Sequence, residues 1–137
     1  MNIRVIALGA LFLLAGLASA APDCGGRSST HASERACWIK AAQKSKARVD
    51  SAQEALRKRI KGWDEDAEFI ERSLVLFNES TKRFSRYRQS QCDFEASVSA
   101  GGNGAGDMRL SCQIALDEAY LRSLHEQSTS FPGRGLP

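Results

Sequence analysis

The sequence predicts an all-α protein, either a three-helix antiparallel bundle or a long helical hairpin stapled by disulfides. Three observations lead there. Apolar residues recur at helical spacing through three segments, β-type alternation is essentially absent, and two of the four cysteines lie symmetrically about a glycine-rich connector. The midpoint of Cys92 and Cys112 falls inside Gly101-Gly102-Asn103-Gly104. Helices entering and leaving that connector as an antiparallel hairpin hold both cysteines at a similar height, within reach of one another.

The chain opens with a targeting pattern. Arg4 supplies a positive start, Val5 to Leu17 is apolar, and Ala18-Ser19-Ala20 is a small-residue cleavage site, so residues 1–20 read as a signal peptide. The apolar run falls short of the roughly 20 residues that a membrane-spanning helix needs, and no stable membrane insertion is expected after cleavage. Cys24 follows Pro22-Asp23 and lacks the small and apolar residues that precede a lipid-modified cysteine. The expected product is periplasmic or secreted. It retains 117 of the 137 residues, enough for one small domain. All four cysteines stay in it, and an even number in an exported chain favours disulfides over free thiols. Three pairings are possible; Cys24 with Cys37 and Cys92 with Cys112 is preferred because each closes a local loop.

Residues 21–32 read as irregular, rich in Gly, Ser and Pro around Cys24. A first helix is expected to begin near Thr30 to Ser33, either of which can cap it. Ala42, Val49, Leu56 and Trp63 then recur every seven residues, with Ile39, Ala52 and Ile60 on intermediate turns, and Gly62 weakens or ends the element. Asp64, Glu65 and Asp66 suit the first turn of a second helix, where the dipole favours carboxylates. That helix carries Ile70, Leu74, Phe77, Phe84, Tyr87, Phe94 and Val98 at helical spacing without a glycine until Gly101. Phe77, Phe84, Tyr87 and Phe94 are expected in the core; Trp38 either packs over the first disulfide, the favoured reading, or stays exposed as a binding anchor. The connector Gly101 to Gly106 has no side chains able to build a core. Asp107 is expected to cap a third helix, marked by Leu110, Ile114, Leu121 and Leu124 and fading near Gln127. The domain thus covers residues 33–127, and residues 128–137, with Pro132, Gly133, Gly135 and Pro137, read as a disordered tail.

Chemistry is sparse. The chain has no G-x-S-x-G, no phosphate-binding glycine loop between strand and helix, and no H-E-x-x-H. No cysteines have C-x-x-C spacing and the only histidines are His31 and His125, which disfavours redox and metal sites. Acidic pairs such as Glu65 with Glu68 or Asp117 with Glu118 read as solvated surface. No cofactor is expected, and the chain reads as a binding protein and not an enzyme. Losing Arg4 with the leader leaves 18 basic against 16 acidic residues, a net charge of +2. The charges nevertheless cluster: Lys82, Arg83, Arg86 and Arg88 form a candidate surface for an anionic cell-envelope component, set against Asp64, Glu65, Asp66, Glu68 and Glu71. Nucleic acid is an improbable partner for an exported chain without a recognised binding motif.

Several segments together resemble the LprI-type lysozyme inhibitor family, small exported helical domains. They are Ser33-Glu34-Arg35-Ala36-Cys37, the central Phe84 to Cys92 segment containing Tyr87-Arg88, the turn at Gly101 and Gly102, and Met108-Arg109-Leu110-Ser111-Cys112 with the amphipathic helix after it. The family often has Met-Asn before its early cysteine and Asp after Tyr-Arg, where this chain has Arg35-Ala36 and Gln89. The resemblance covers about residues 33–127 and implies a periplasmic or surface protein that binds and blocks lysozyme. The alternative from the residues alone is a structural module that binds an anionic envelope component.

Overall fold

The computed structural model describes residues 22–26, 30–102 and 104–131; the expected signal peptide and residues 132–137 lie outside them. Among the described residues the fold is three α-helices and no strand: α1, His31–Lys61; α2, Ala67–Ser97; and α3, Ala105–Ser130. At 1.5 Å per residue the first two are each roughly 46 Å long.

Local chemistry sets the ends of α1. Thr30 is its N-cap, with backbone φ −89° and ψ 155°, and its hydroxyl accepts the Ser33 amide while the Ser33 hydroxyl accepts the Thr30 amide. This reciprocal pair satisfies two amides that the first turn leaves without helical partners. Gly62 is the C-cap, and its amide donates to the carbonyls of Lys58 and Arg59. After a short corner, Asp66 takes the N-cap position of α2. The α2–α3 turn passes through positive φ at Ala100 (46°) and Gly101 (79°). At Gly101 the missing Cβ removes the steric cost of that conformation.

Two boundaries differ from the sequence expectation. The connector is shorter than the glycine run, because Gly104 is the N-cap and Ala105 and Gly106 already belong to α3. Asp107 therefore sits in the first turn and is not the cap. At the other end α3 runs on to Ser130, and the Phe131 ring meets Trp63 edge-on with centroids 5.2 Å apart. Residues 128–131 are thus ordered against the α1–α2 corner. An aromatic contact supplies what a polar sequence did not advertise.

The register of the bundle can be read from its cross-helix bonds. Arg35 with Asp107, Ser45 with Asp117 and Arg59 with the Phe131 carbonyl each join residues 72 apart, so α1 and α3 run parallel in a constant register. Cys92 with Cys112, Arg88 with Asp117 and Phe84 with Tyr120 have nearly constant sums, as antiparallel neighbours must. The chain therefore runs up, down and up.

Leu56, Ile60, Phe77 and Leu124 form the buried cluster near the corner, with Ala52, Leu74, Tyr120 and Phe131 packed on it. Val49, Ala42 and Ile114 continue the interior. The seven-residue stripe of α1 is buried as expected from Ala42 through Leu56, with Trp63 only partly covered. On α2 the aromatics divide. Phe77 is buried and Phe84 stacks on Tyr120 at 3.7 Å between centroids, but Tyr87, Phe94 and Val98 are exposed. Phe77 and Phe84 are one seven-residue step apart, as are Tyr87 and Phe94, and the two pairs lie on different lines of the helix.

Candidate functional site

The interior is joined by one charged constellation. Arg88, from α2, donates from Nε to Asp117 Oδ1 at 2.7 Å and from Nη2 to Oδ2 at 2.9 Å. Ser45, from α1, donates its hydroxyl to the same Oδ2 at 2.7 Å and lies 3.0 Å from the Ala42 carbonyl. Asp117, on α3, is 1% exposed, and its carboxylate ties α3 to both other helices. The two parallel bonds to Arg88 fit the planar guanidinium fork to the carboxylate. This corrects two expectations. Asp117 is not solvated surface, and Arg88 is turned inward and withdrawn from the basic patch. Its partner lies 29 residues away on another helix, so no local pattern revealed the pair.

The cysteines form two bridges, Cys24–Cys37 and Cys92–Cys112, with Cα atoms 5.7 and 5.5 Å apart. The first ties the segment before α1 back onto that helix; the second joins α2 to α3 one helical turn from Arg88. Trp38 is half-buried and lines a shallow cavity of about 500 Å³ with Met108, Ser111 and Cys112. Its indole shares that cavity with Cys112 of the second bridge. Beside it Arg35 Nη1 donates to Asp107 Oδ1 at 2.8 Å. The guanidinium occupies the space above Gly106, where a Cβ would lie 2.0 Å from Nη1.

Two further residues of the family-like segments are on the surface. Tyr87 is exposed, and Arg109 donates to Asp93 at 2.7 Å. Lys82, Arg83 and Arg86 are exposed, with Arg83 folded back onto Glu79 at 2.9 Å. The Arg83 hydrogen bond and charge, with Lys82 and Arg86 nearby, hold the Glu79 carboxyl below the usual carboxylate range. At the α1–α2 corner Asp64, Glu65, Asp66, Glu68 and Glu71 are all exposed, while Lys58, Arg59 and Lys61 occupy the α1 limb.

Among the described residues no group of three or more His, Cys, Asp or Glu side chains is arranged to hold a metal ion, and no helix is long and apolar enough to cross a membrane. The arrangement offers surfaces held rigid by a buried ion pair and two covalent bridges.

Comparison with known proteins finds the family described as lysozyme inhibitor LprI over residues 24–124. The matched span starts at the first bridged cysteine, contains both bridges and Arg88–Asp117, and ends at the core residue Leu124. No curated protein and no solved structure matches the chain. The match extends over well over half of the sequence, and the chain belongs to the LprI family of lysozyme inhibitors.

Proposed function

We propose that this protein is an exported lysozyme-binding protein that blocks the enzyme by occluding its glycan cleft, without covalent chemistry. The observation that carries this reading is the family match, whose span coincides with the covalently stapled part of the bundle. Two disulfides suit an oxidising compartment outside the cytosol, which is where a lysozyme would be met.

The contact surface in this reading is the α1–α2 corner. Net charge of +2 gives no long-range attraction to a basic lysozyme, so attraction must come from local charge. Asp64, Glu65, Asp66, Glu68 and Glu71 supply five exposed carboxylates within eight positions, on a corner held by Trp63 against Phe131. The alternative basic surface is smaller than its sequence suggested, since Arg88 is internal and Arg83 is bonded to Glu79.

The test is the clearing of a peptidoglycan suspension by a basic lysozyme, with the oxidised protein added in increasing amounts. Clearing should slow, and reversing Glu65, Glu68 and Glu71 to Lys should weaken the effect most at low salt. Clearing unchanged at excess protein would overturn the inhibitory reading. Salt-sensitive retention on anionic envelope polymer in the same preparation would then favour the envelope-binding alternative.

A further inference from the structure

α2 carries two seams, of which the bundle uses one. The inner seam passes through Ile70, Leu74, Phe77, Phe84, Arg88 and Cys92 at helical spacing, and it packs on α1 and α3. A second line runs beside it, displaced by about one residue and rotated by about 100° around the helix. Its large members are Phe69, Leu76, Tyr87, Phe94 and Val98, exposed by 49, 62, 53, 65 and 67%. The intervening positions are small or polar: Ser73, Ser80, Arg83 and Gln91. A seven-residue repeat sustained along a whole helix is the pattern of a helix packed on another helix. Its five large members are exposed, although Ser80 on the same line is hydrogen-bonded to Tyr120 of α3.

We infer that the outer seam of α2 is a homodimer interface, in which two copies pair their α2 helices antiparallel about a two-fold axis near Arg83 and Phe84. The seam is complementary to its own reverse. With the axis there, Phe69 meets Val98 of the second copy, Ser73 meets Phe94, and Ser80 meets Tyr87. Tyr87 and Phe94 are thus each placed opposite a serine, as knobs opposite holes. Ser73, Leu76 and Ser80 line one side of a groove of about 650 Å³, whose other walls include Leu56, Ile60 and Phe77 and, from α3, Glu126 and Gln127. In this register Phe94 of the second copy points towards that groove.

Charge and area agree with the pairing. On the flank of the seam, Glu79 and Arg86 of the two copies carry opposite charge, as do Arg72 and Asp93, with Glu79 already paired to Arg83 and Asp93 to Arg109 within each copy. The Arg83 side chains nearest the axis are already neutralised by Glu79. Five large side chains, each contributing roughly 100 Å² of exposed surface, give about 500 Å² of apolar area per copy. If all of it is buried, the two copies together come to the ~1,000 Å² that a specific interface needs. The acidic corner residues Glu68 and Glu71 lie outside the seam, so the pairing leaves both proposed lysozyme-binding corners open, one at each end.

Sedimentation equilibrium of the oxidised protein tests the inference, with dissociation expected in the micromolar range. Leu76→Glu and Phe94→Glu should each give a monomer with unchanged helical circular dichroism, since both side chains are exposed. Copies carrying Phe69→Cys should cross-link to copies carrying Val98→Cys and neither should do so efficiently alone, which reads the antiparallel register. The inference is overturned by a wild-type mass that stays monomeric across that range, by a dimer that survives both Glu variants, or by cross-linking of like with like. A wild-type monomer whose lysozyme inhibition is lost in Phe94→Glu would assign the seam to the enzyme instead. A wild-type dimer that leaves lysozyme uninhibited would uphold the pairing and sink only the inhibitory reading.

Discussion

Replacing Asp117 by Ala removes the carboxylate on which all three helices converge, and the size of the loss depends on the groups left behind. Arg88 keeps a charge at a position only 17% exposed on its side chain, with both of its hydrogen bonds to Asp117 gone. Ser45 loses its acceptor on α3 but retains the Ala42 carbonyl at 3.0 Å. Removing one partner of a buried pair typically costs 3–5 kcal/mol, and the partial exposure of Arg88 puts this case at about 3 kcal/mol. For a domain of this size that is a fall in Tm of roughly 12–24 °C. Chemical denaturation followed by circular dichroism, with the disulfides intact, measures it. The companion variant separates lost charge pairing from lost packing: Arg88→Met with Asp117→Val changes the total volume little, leaves no buried charge, and should lie within about 1 kcal/mol of the wild type. A loss below ~1 kcal/mol for Asp117→Ala, or a double variant as unstable as the single one, would refute the argument that an uncompensated guanidinium sets the cost.

Three further outcomes are expected. Replacing Cys92 and Cys112 together by Ala should cost about 3 kcal/mol, from a crosslink with sequence separation 20, measured by the same denaturation. Gly106→Ala must push the Arg35 guanidinium off Asp107; because this pair is at the surface and the displaced group is the end of a flexible chain, the change should cost less than about 1 kcal/mol, and a larger loss would mean that the backbone of α3 has moved. Burial raises the Tyr120 phenol above its ordinary value of 10.0, opposed by hydrogen bonds with Gln53 and Ser80. Its folded form holds the proton more tightly than the unfolded chain, so the associated stability is complete below pH 10 and declines as pH rises through the folded value. Ultraviolet titration of a Tyr87→Phe variant, which leaves Tyr120 as the remaining tyrosine, should show late ionisation; a midpoint at or below 10 would contradict the burial argument.

Helix positions were readable because their signals are local. Thr30 and Gly62 act on amides and carbonyls within a turn of themselves, the carboxylates before α2 suit its dipole, and the α1 stripe buries small aliphatic residues along a single line. On α2 the same reasoning assigned Tyr87 and Phe94 to the core, because aromatic periodicity does not say which of two adjacent seams faces inward. That choice is made by α3, through Arg88 and Cys92. The Asp117 carboxylate was equally hidden. Carboxylates are rarely buried without a partner, and the partner is supplied by the fold. The extension of α3 to Ser130 depends on Phe131 finding Trp63, another contact without a sequence-local trace. For function, the cysteines and the segments around them pointed to the family, while the buried constellation within those segments became visible only in three dimensions.

The bridge between Cys92 and Cys112 encloses the α2–α3 turn, and with it makes that stretch of chain a closed ring. A protease that cuts the glycine turn would open the ring without detaching either side, because the bridge and the packed helices still hold α2 to α3. Such a molecule would migrate as fragments on a reducing gel and as one species on a non-reducing gel, with its outward-facing helical surfaces still in place. The turn is thereby a stretch of backbone whose scission the molecule survives.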